Sequence, residues 1–318
     1  MTAPDDAPVL VLAVPGGPSE ESRVLAEEVV SIARSELPGL DARIGFVEEP
    51  PAGARTPEAA QEATAPEAGA AAADAETEGT ADAAEPETAQ GTQATPPVDS
   101  FASTPALPTL REVLGELGPR PDDAEQRVPA VVVPLLANPD AAQLRLIRQV
   151  VLDSGSGAEL TGVLGPHPLL AEGVHVRLSE AGLARADRAR LFTVATAADG
   201  IILVTVGGQE AVQAAGITGM LLSARLAVPV LAAALDEEGS VARTAEQLTE
   251  AGSRQLAVAP CLIGPEIPEG LLAEAAKEAG CAAAEPLGAY PAVGKLVLST
   301  YMAKVGIAPQ HPQGAPVP

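Results

Sequence analysis

The second half of this chain repeats the first, and that repeat restricts the fold more than any other feature. Val14-Pro15-Gly16-Gly17 follows the apolar run 9–14 as Val206-Gly207-Gly208 follows 201–206, so Gly16 and Gly207 correspond at an offset of 191. Residues 114–118 match 248–252 at an offset of 134. Pro134-Leu135-Leu136 with Pro139-Asp140 matches Pro260-Cys261-Leu262 with Pro265-Glu266 at 126, and Gly165-Pro166-His167-Pro168 matches Gly288-Ala289-Tyr290-Pro291 at 123. The falling offset locates extra material in the first half: 191 − 134 = 57 residues between the first two pairs and 134 − 126 = 8 between the next two. Without it, two similar stretches of about a hundred residues remain, each the size of a small α/β domain.

Most of the surplus lies where large apolar residues disappear. Residues 51–100 hold ten Asp or Glu, one basic residue (Arg55) and no aromatic residue, in no helical period. Too little apolar area is present to offset chain entropy, so an acidic, Ala/Pro-rich disordered insertion is expected over 51–105. The expected organisation is an N-terminal lobe of residues 1–50 plus 106–185, a C-terminal lobe of 190–306, and a flexible tail over 307–318. Lengthening a loop costs only about 0.6 kcal/mol per doubling, so the insertion is tolerable without a role.

Five short aliphatic runs, 9–14, 131–136, 201–206, 229–234 and 256–262, have the character of strands buried on both faces, which belong in a parallel sheet. Helix-length segments separate them. Over 20–35, Val24, Leu25, Val29 and Ile32 share one face; over 209–226, Val212, Ala215, Met220 and Leu221 do. The expected fold class is therefore α/β, with two similar lobes, each a small parallel sheet flanked by helices. Ligands in such folds bind at the carboxyl ends of strands. Gly16-Gly17, Asn138-Pro139-Asp140, Gly207-Gly208 and Gly264-Pro265-Glu266 all fall there.

Charge and cysteine content remove several function classes. With 43 acidic against 19 basic residues the net charge is −24, which repels nucleic acid and anionic membrane surfaces. The run 9–14 has no cationic region before it and is too short for a signal-peptide core or a membrane span, so a cytoplasmic location is expected. Cys261 and Cys281 lack CxxC spacing and read as buried thiols.

A short helix ending in Leu117-Gly118, a Val131-Val132-Val133-Pro134-Leu135-Leu136 strand and a Leu164-Gly165-Pro166-His167-Pro168-Leu169-Leu170 helix start resemble the sirohydrochlorin chelatase family, class II chelatases of the CbiX/SirB type. Residues 285–291 repeat the last motif, and the resemblance spans nearly all of the chain outside the insertion. It implies a two-lobed fold and a lyase of tetrapyrrole metabolism that places Fe(II) or Co(II) into sirohydrochlorin, for sirohaem or cobalamin. The metal is substrate, the tetrapyrrole is the small-molecule partner, and no separate organic cofactor is implied. The oligomeric state is open.

The family's two metal-binding motifs are a His-Gly-Ser turn after the first strand and a Gly-Tyr-His-Val turn after the third. Here the first reads Pro15-Gly16-Gly17 and the second falls on 137–141, so the histidine positions fall on Pro15 and on Asp140 or Ala141. A neutral imidazole can hold a divalent metal and accept a pyrrole proton; proline can do neither. The three histidines have other readings: His167 and His175 in one helix, and His311 in the tail. Asp140 and Glu266 occupy equivalent strand ends and are the candidate metal ligands, or else cap the helices beyond those strands. Gly16, Gly17, Asn138, Gly207 and Gly208 are candidate ligand-binding residues through turn N–H groups, although none forms GxGxxG or a P-loop. Arg23, Arg145 and Arg148 are the basic residues nearest the two motif turns, few for a polycarboxylate substrate. Three readings stay open: a chelatase with substituted ligands, a chelatase-like protein whose insertion activity is weak or lost, and a non-catalytic tetrapyrrole-binding or interaction scaffold.

Overall fold

In the computed structural model, residues 2–4, 6–47, 107–118, 128–184, 197–264, 266–267 and 270–307 are described. The expected insertion over 51–105, His311 and all of the tail but its first residue lie outside them. The first half runs β1 (Val9–Pro15), α1 (Glu20–Glu36), β2 (Ala42–Val47), α2 (Leu110–Glu116), β3 (Ala130–Pro134), α3 (Ala141–Ser154), β4 (Glu159–Leu160) and α4 (Pro168–Glu180). The second runs β5 (Gly200–Thr205), α5 (Gly208–Leu226), β6 (Val230–Ala234), α6 (Ser240–Glu250), β7 (Leu256–Pro260), α7 (Leu271–Glu278), β8 (Ala282–Ala283) and α8 (Pro291–Val305).

Each half builds one four-stranded sheet, ordered β2-β1-β3-β4 and β6-β5-β7-β8, and every pairing is parallel. The register reproduces the sequence offsets. Ala13 pairs with Pro134 as Val204 pairs with Pro260, residues related by 191 and 126. Central strands are buried on both faces, with Leu10, Leu12, Ile201 and Leu203 on the inner side and Val11, Ala13, Ile202 and Val204 on the outer. That is why these runs are continuously aliphatic instead of alternating.

Local signals set the helix starts. Ser19 caps α1 by accepting from the Ser22 N–H, with Glu20 and Glu21 in the first turn; Thr109 and Glu112 form a reciprocal capping box on α2. The inward faces differ from expectation. On α1 the buried residues are Ala26, Val29, Val30 and Ala33, and Val24 is 45% exposed. On α5 they are Ala211, Ala214, Ala215, Thr218, Gly219 and Leu222, whereas Met220 is 66% and Leu221 39% exposed. Close approach is the reason. Gly219 lies against Val230 and Leu203, so the small residues turn to the sheet and the long ones turn away.

The two sequence halves are not two separate bodies, because their last helices are exchanged. α8 packs on β3 and α1 of the first half, and α4 packs on β7 and α5 of the second. Tyr301 of α8 donates its hydroxyl to the Pro8 carbonyl at 2.6 Å, and Lys304 pairs with Glu159 at 2.8 Å. In the other direction, Arg177 of α4 donates to the Leu287 carbonyl at 2.7 Å, and Arg225 of α5 donates to His175 Nδ1 at 2.8 Å. A single core therefore joins the inner faces of both sheets through α1, α4, α5 and α8; smaller clusters lie beneath α2 and α3 and beneath α6 and α7.

Candidate functional site

The carboxyl ends of β1, β3, β5 and β7 carry the turns that sequence reasoning places there. Asn138, after β3, ties its own turn to the ends of β5 and β7. Its side chain is buried and its Nδ2 donates to Thr205 Oγ1 at 3.1 Å and to the Cys261 carbonyl at 2.7 Å, both in the second half. A carbonyl can only accept, so the amide orientation is settled by its partners. Asn138 Oδ1 is then buried without a hydrogen-bond partner, as is Thr218 Oγ1. The Cys261 thiol beside them is pushed up to about 11 by burial, with Asn138 and Thr218 pulling down and the Glu266 charge adding to the rise. It is a protonated, structural thiol at neutral pH.

Gly207 brings the opposing turns into contact. It has φ +108, and a Cβ there would stand 2.8 Å from the Pro139 carbonyl oxygen and 2.9 Å from Asp140 Cα. The turn after β5 is thus seated on the turn after β3. The Gly207 N–H is already occupied, donating to the Asp236 carboxylate at 3.0 Å. Gly17 and Gly208 face open space, and Gly16 forms an isolated bridge with Val47.

The Asp140 charge acts on Glu266, whose pKa is raised by burial first, against the pull of its backbone donors. Each is committed locally. Asp140 Oδ1 caps α3, accepting from Ala142 N at 2.9 Å and Gln143 N at 3.0 Å, whereas Glu266 accepts from Ile263 N at 2.6 Å and Gly264 N at 2.9 Å. Among the described residues, no three His, Cys, Asp or Glu side chains group so as to hold a metal ion. Pro15 is the buried end of β1 and offers no donor atom. Arg23 is engaged with Glu20 and Glu27, and Arg145 and Arg148 are exposed on α3.

Neither described histidine joins the strand-end turns. His175 meets Arg225 between α4 and α5. His167 caps α4, its Nδ1 accepting from the Leu169 N–H at 3.1 Å, and desolvation lowers its pKa below the ordinary imidazole value. A depressed folded-state pKa favours the neutral form, so this cap contributes fully above the unfolded value near 6.5 and is lost as pH falls through the lower folded value. His167→Asn, which caps without titrating, should flatten the fall in melting temperature between pH 8 and pH 5 relative to the wild type. Identical slopes for the two proteins would sink that assignment.

Thr205, Thr218 and Asp236 are not candidates on sequence. Asn138 meets Thr205 and Cys261 across 67 and 123 residues, and no local pattern announces such partners. No known family model matches the chain, and no curated protein aligns with it significantly. No described helix is long and apolar enough to cross a membrane.

Proposed function

We propose that this chain is a divergent sirohydrochlorin chelatase-like protein in which metal insertion is lost, working in the cytoplasm. The sequence motifs support the family reading. The observation that carries the loss is the seam at the strand ends: Asn138 is hydrogen-bonded across it, Gly207 is packed on Pro139 and Asp140, and both carboxylates are engaged by backbone N–H groups. Metal transfer to a tetrapyrrole needs ligands that face an open cleft and a base that takes the pyrrole protons. On the resemblance, the positions where the family carries imidazoles fall on Pro15 and on the helix-capping Asp140 or its neighbour Ala141.

Within this reading an interaction scaffold is favoured over tetrapyrrole binding. Sirohydrochlorin is a polycarboxylate, the chain has a net charge of −24, and Arg23, which follows the β1 turn, is paired with two glutamates. The test is anaerobic incubation of metal-free protein with sirohydrochlorin and Co(II) or Fe(II), following the tetrapyrrole absorbance. A rate equal to the protein-free background is expected, with no spectral shift on adding the tetrapyrrole alone. Acceleration that falls on Asp140→Ala would overturn the proposal and show carboxylates standing in for imidazoles. A shift without acceleration would make the protein a tetrapyrrole binder.

A further inference from the structure

α6 and α7 cover the outer face of the second sheet, above the cluster that holds Val241, Leu248 and Ala275. The seam between the two helices is open. Near the start of α6 a cavity of about 430 Å³ has an apolar floor of Leu235, Val241, Leu271 and Ala275. Glu237, Glu238, Glu274 and Glu278 stand around it. A second cavity of about 320 Å³ continues along the seam, with Ala245, Leu256 and Ala279 beneath and Glu246 and Glu250 at its edge. Glu278 borders both, and its carboxylate accepts from the Ala242 N–H at 3.0 Å. Together they make one groove along the 11 residues of α6, about 16 Å, a length that about five extended residues would span.

The first half bridges the same seam with an ion pair. The offset of 134 that relates 114–118 to 248–252 makes α2 the counterpart of α6 and sets Arg111 against Ala245. The Arg111 guanidinium crosses from α2 to Asp153 of α3 at 3.3 Å. Alanine at 245 offers no such bridge, and the position lines the second cavity instead. The basic residues of α6 and α7 are Arg243, held by Glu237 at 2.6 Å, and Lys277, which lines neither cavity. Among the described residues, no cation pairs with Glu238, Glu246, Glu250, Glu274 or Glu278.

The floor and the charge together specify the occupant. Uncompensated carboxylates above an apolar floor suit a cation carried on an apolar stem, as in lysine, whose methylenes can lie on the floor while the ammonium stays at the rim. A bare inorganic cation would leave the floor unused. A chain of net charge −24 repels a second copy of itself and attracts a basic partner. We propose that the α6–α7 groove is a docking site for a short basic segment of a partner protein, in which lysines alternate with aliphatic residues. The scaffold reading, on which this rests, fails separately: its failure shows as tetrapyrrole turnover or binding, that of the docking site as a peptide that does not bind.

The probe is a fluorescein-labelled peptide of alternating leucine and lysine, titrated with the full chain and followed by fluorescence anisotropy. Saturable binding is expected, weakened at least about fivefold by Glu246→Gln with Glu274→Gln, both exposed positions whose change leaves the core intact. Glu21→Gln with Glu28→Gln, which remove the same charge from exposed positions on α1, should leave it unchanged. Ala245→Arg, which gives α6 the residue that α2 carries, should weaken binding as strongly, and so should serine in place of the peptide's leucines. Absence of saturable binding overturns the proposal. Equal weakening by the two glutamine pairs, or a serine peptide that binds as well as the leucine one, would also overturn it, as diffuse attraction to an acidic protein. Spermine that binds as tightly as the peptide would assign the groove to a free polyamine instead.

Discussion

Gly294→Val is expected to cost more than about 3 kcal/mol, enough to unfold much of the population of an ordinary domain. A Cβ at position 294 would lie 2.6 Å from both Cβ and Cγ2 of Ile32 and 3.0 Å from the Val29 carbonyl oxygen. Ile32 is branched at the atom being struck, and Val29 contributes backbone within α1, so neither neighbour can swing aside as a flexible side-chain end would. α8 would have to lift from α1, uncovering the inner face of the first sheet. Even Gly294→Ala, which gains about 1 kcal/mol of helix propensity, should lose overall. Guanidinium denaturation reads both variants. A Gly294→Ala protein more stable than the wild type would show that α8 does not run against α1 at this separation.

Tyr301→Ala should cost about 3–5 kcal/mol, the usual range for emptying a buried aromatic site. The ring is fully buried in the shared core, and its hydroxyl reaches the Pro8 carbonyl just before β1. Tyr301→Phe keeps the ring and removes only the donor, so about 1 kcal/mol is expected from it. Equal losses from the two substitutions would mean that the ring contributes nothing to the core. Because Tyr301 belongs to the second half and stabilises the first, hydrogen exchange in β1 and β3 should quicken along with that of α8.

The exchange of α4 and α8 is not legible in the sequence, and the composition of the helices explains why. α8 buries Ala292, Val293, Leu296, Val297, Leu298 and Tyr301. A helix so apolar fits the inner face of either sheet, and no periodicity says which. The short strands β4 and β8 span two residues each, too few to leave an alternating or aliphatic pattern. The outward turn of Met220 escapes sequence reasoning for a related reason. Hydrophobicity alone puts methionine inward, but the approach of α5 to Val230 at Gly219 selects for small residues on that side.

At the strand ends the turns are legible in the sequence and their chemistry is not. Asp140 and Glu266 follow the strands where the repeat places them, and the Asp140 charge is felt at Glu266. Whether a carboxylate is available to a ligand depends on where the neighbouring backbone N–H groups point, and here they point at both. Asn138 is a candidate from its turn position alone, yet its amide joins the two halves through partners far away in the chain.

What the sequence determined by itself is the strand–helix alternation and the parallel character of the sheets, since these rest on aliphatic runs, turn residues and a repeat whose offsets hold within a few neighbouring residues. The tertiary structure alone decided the register of the strands, which sheet each terminal helix covers, which way Met220 faces and which carboxylates are already engaged. Those outcomes depend on distances of a few ångströms between residues up to 293 positions apart, as with Tyr301 and Pro8, and such contacts leave no trace in local pattern.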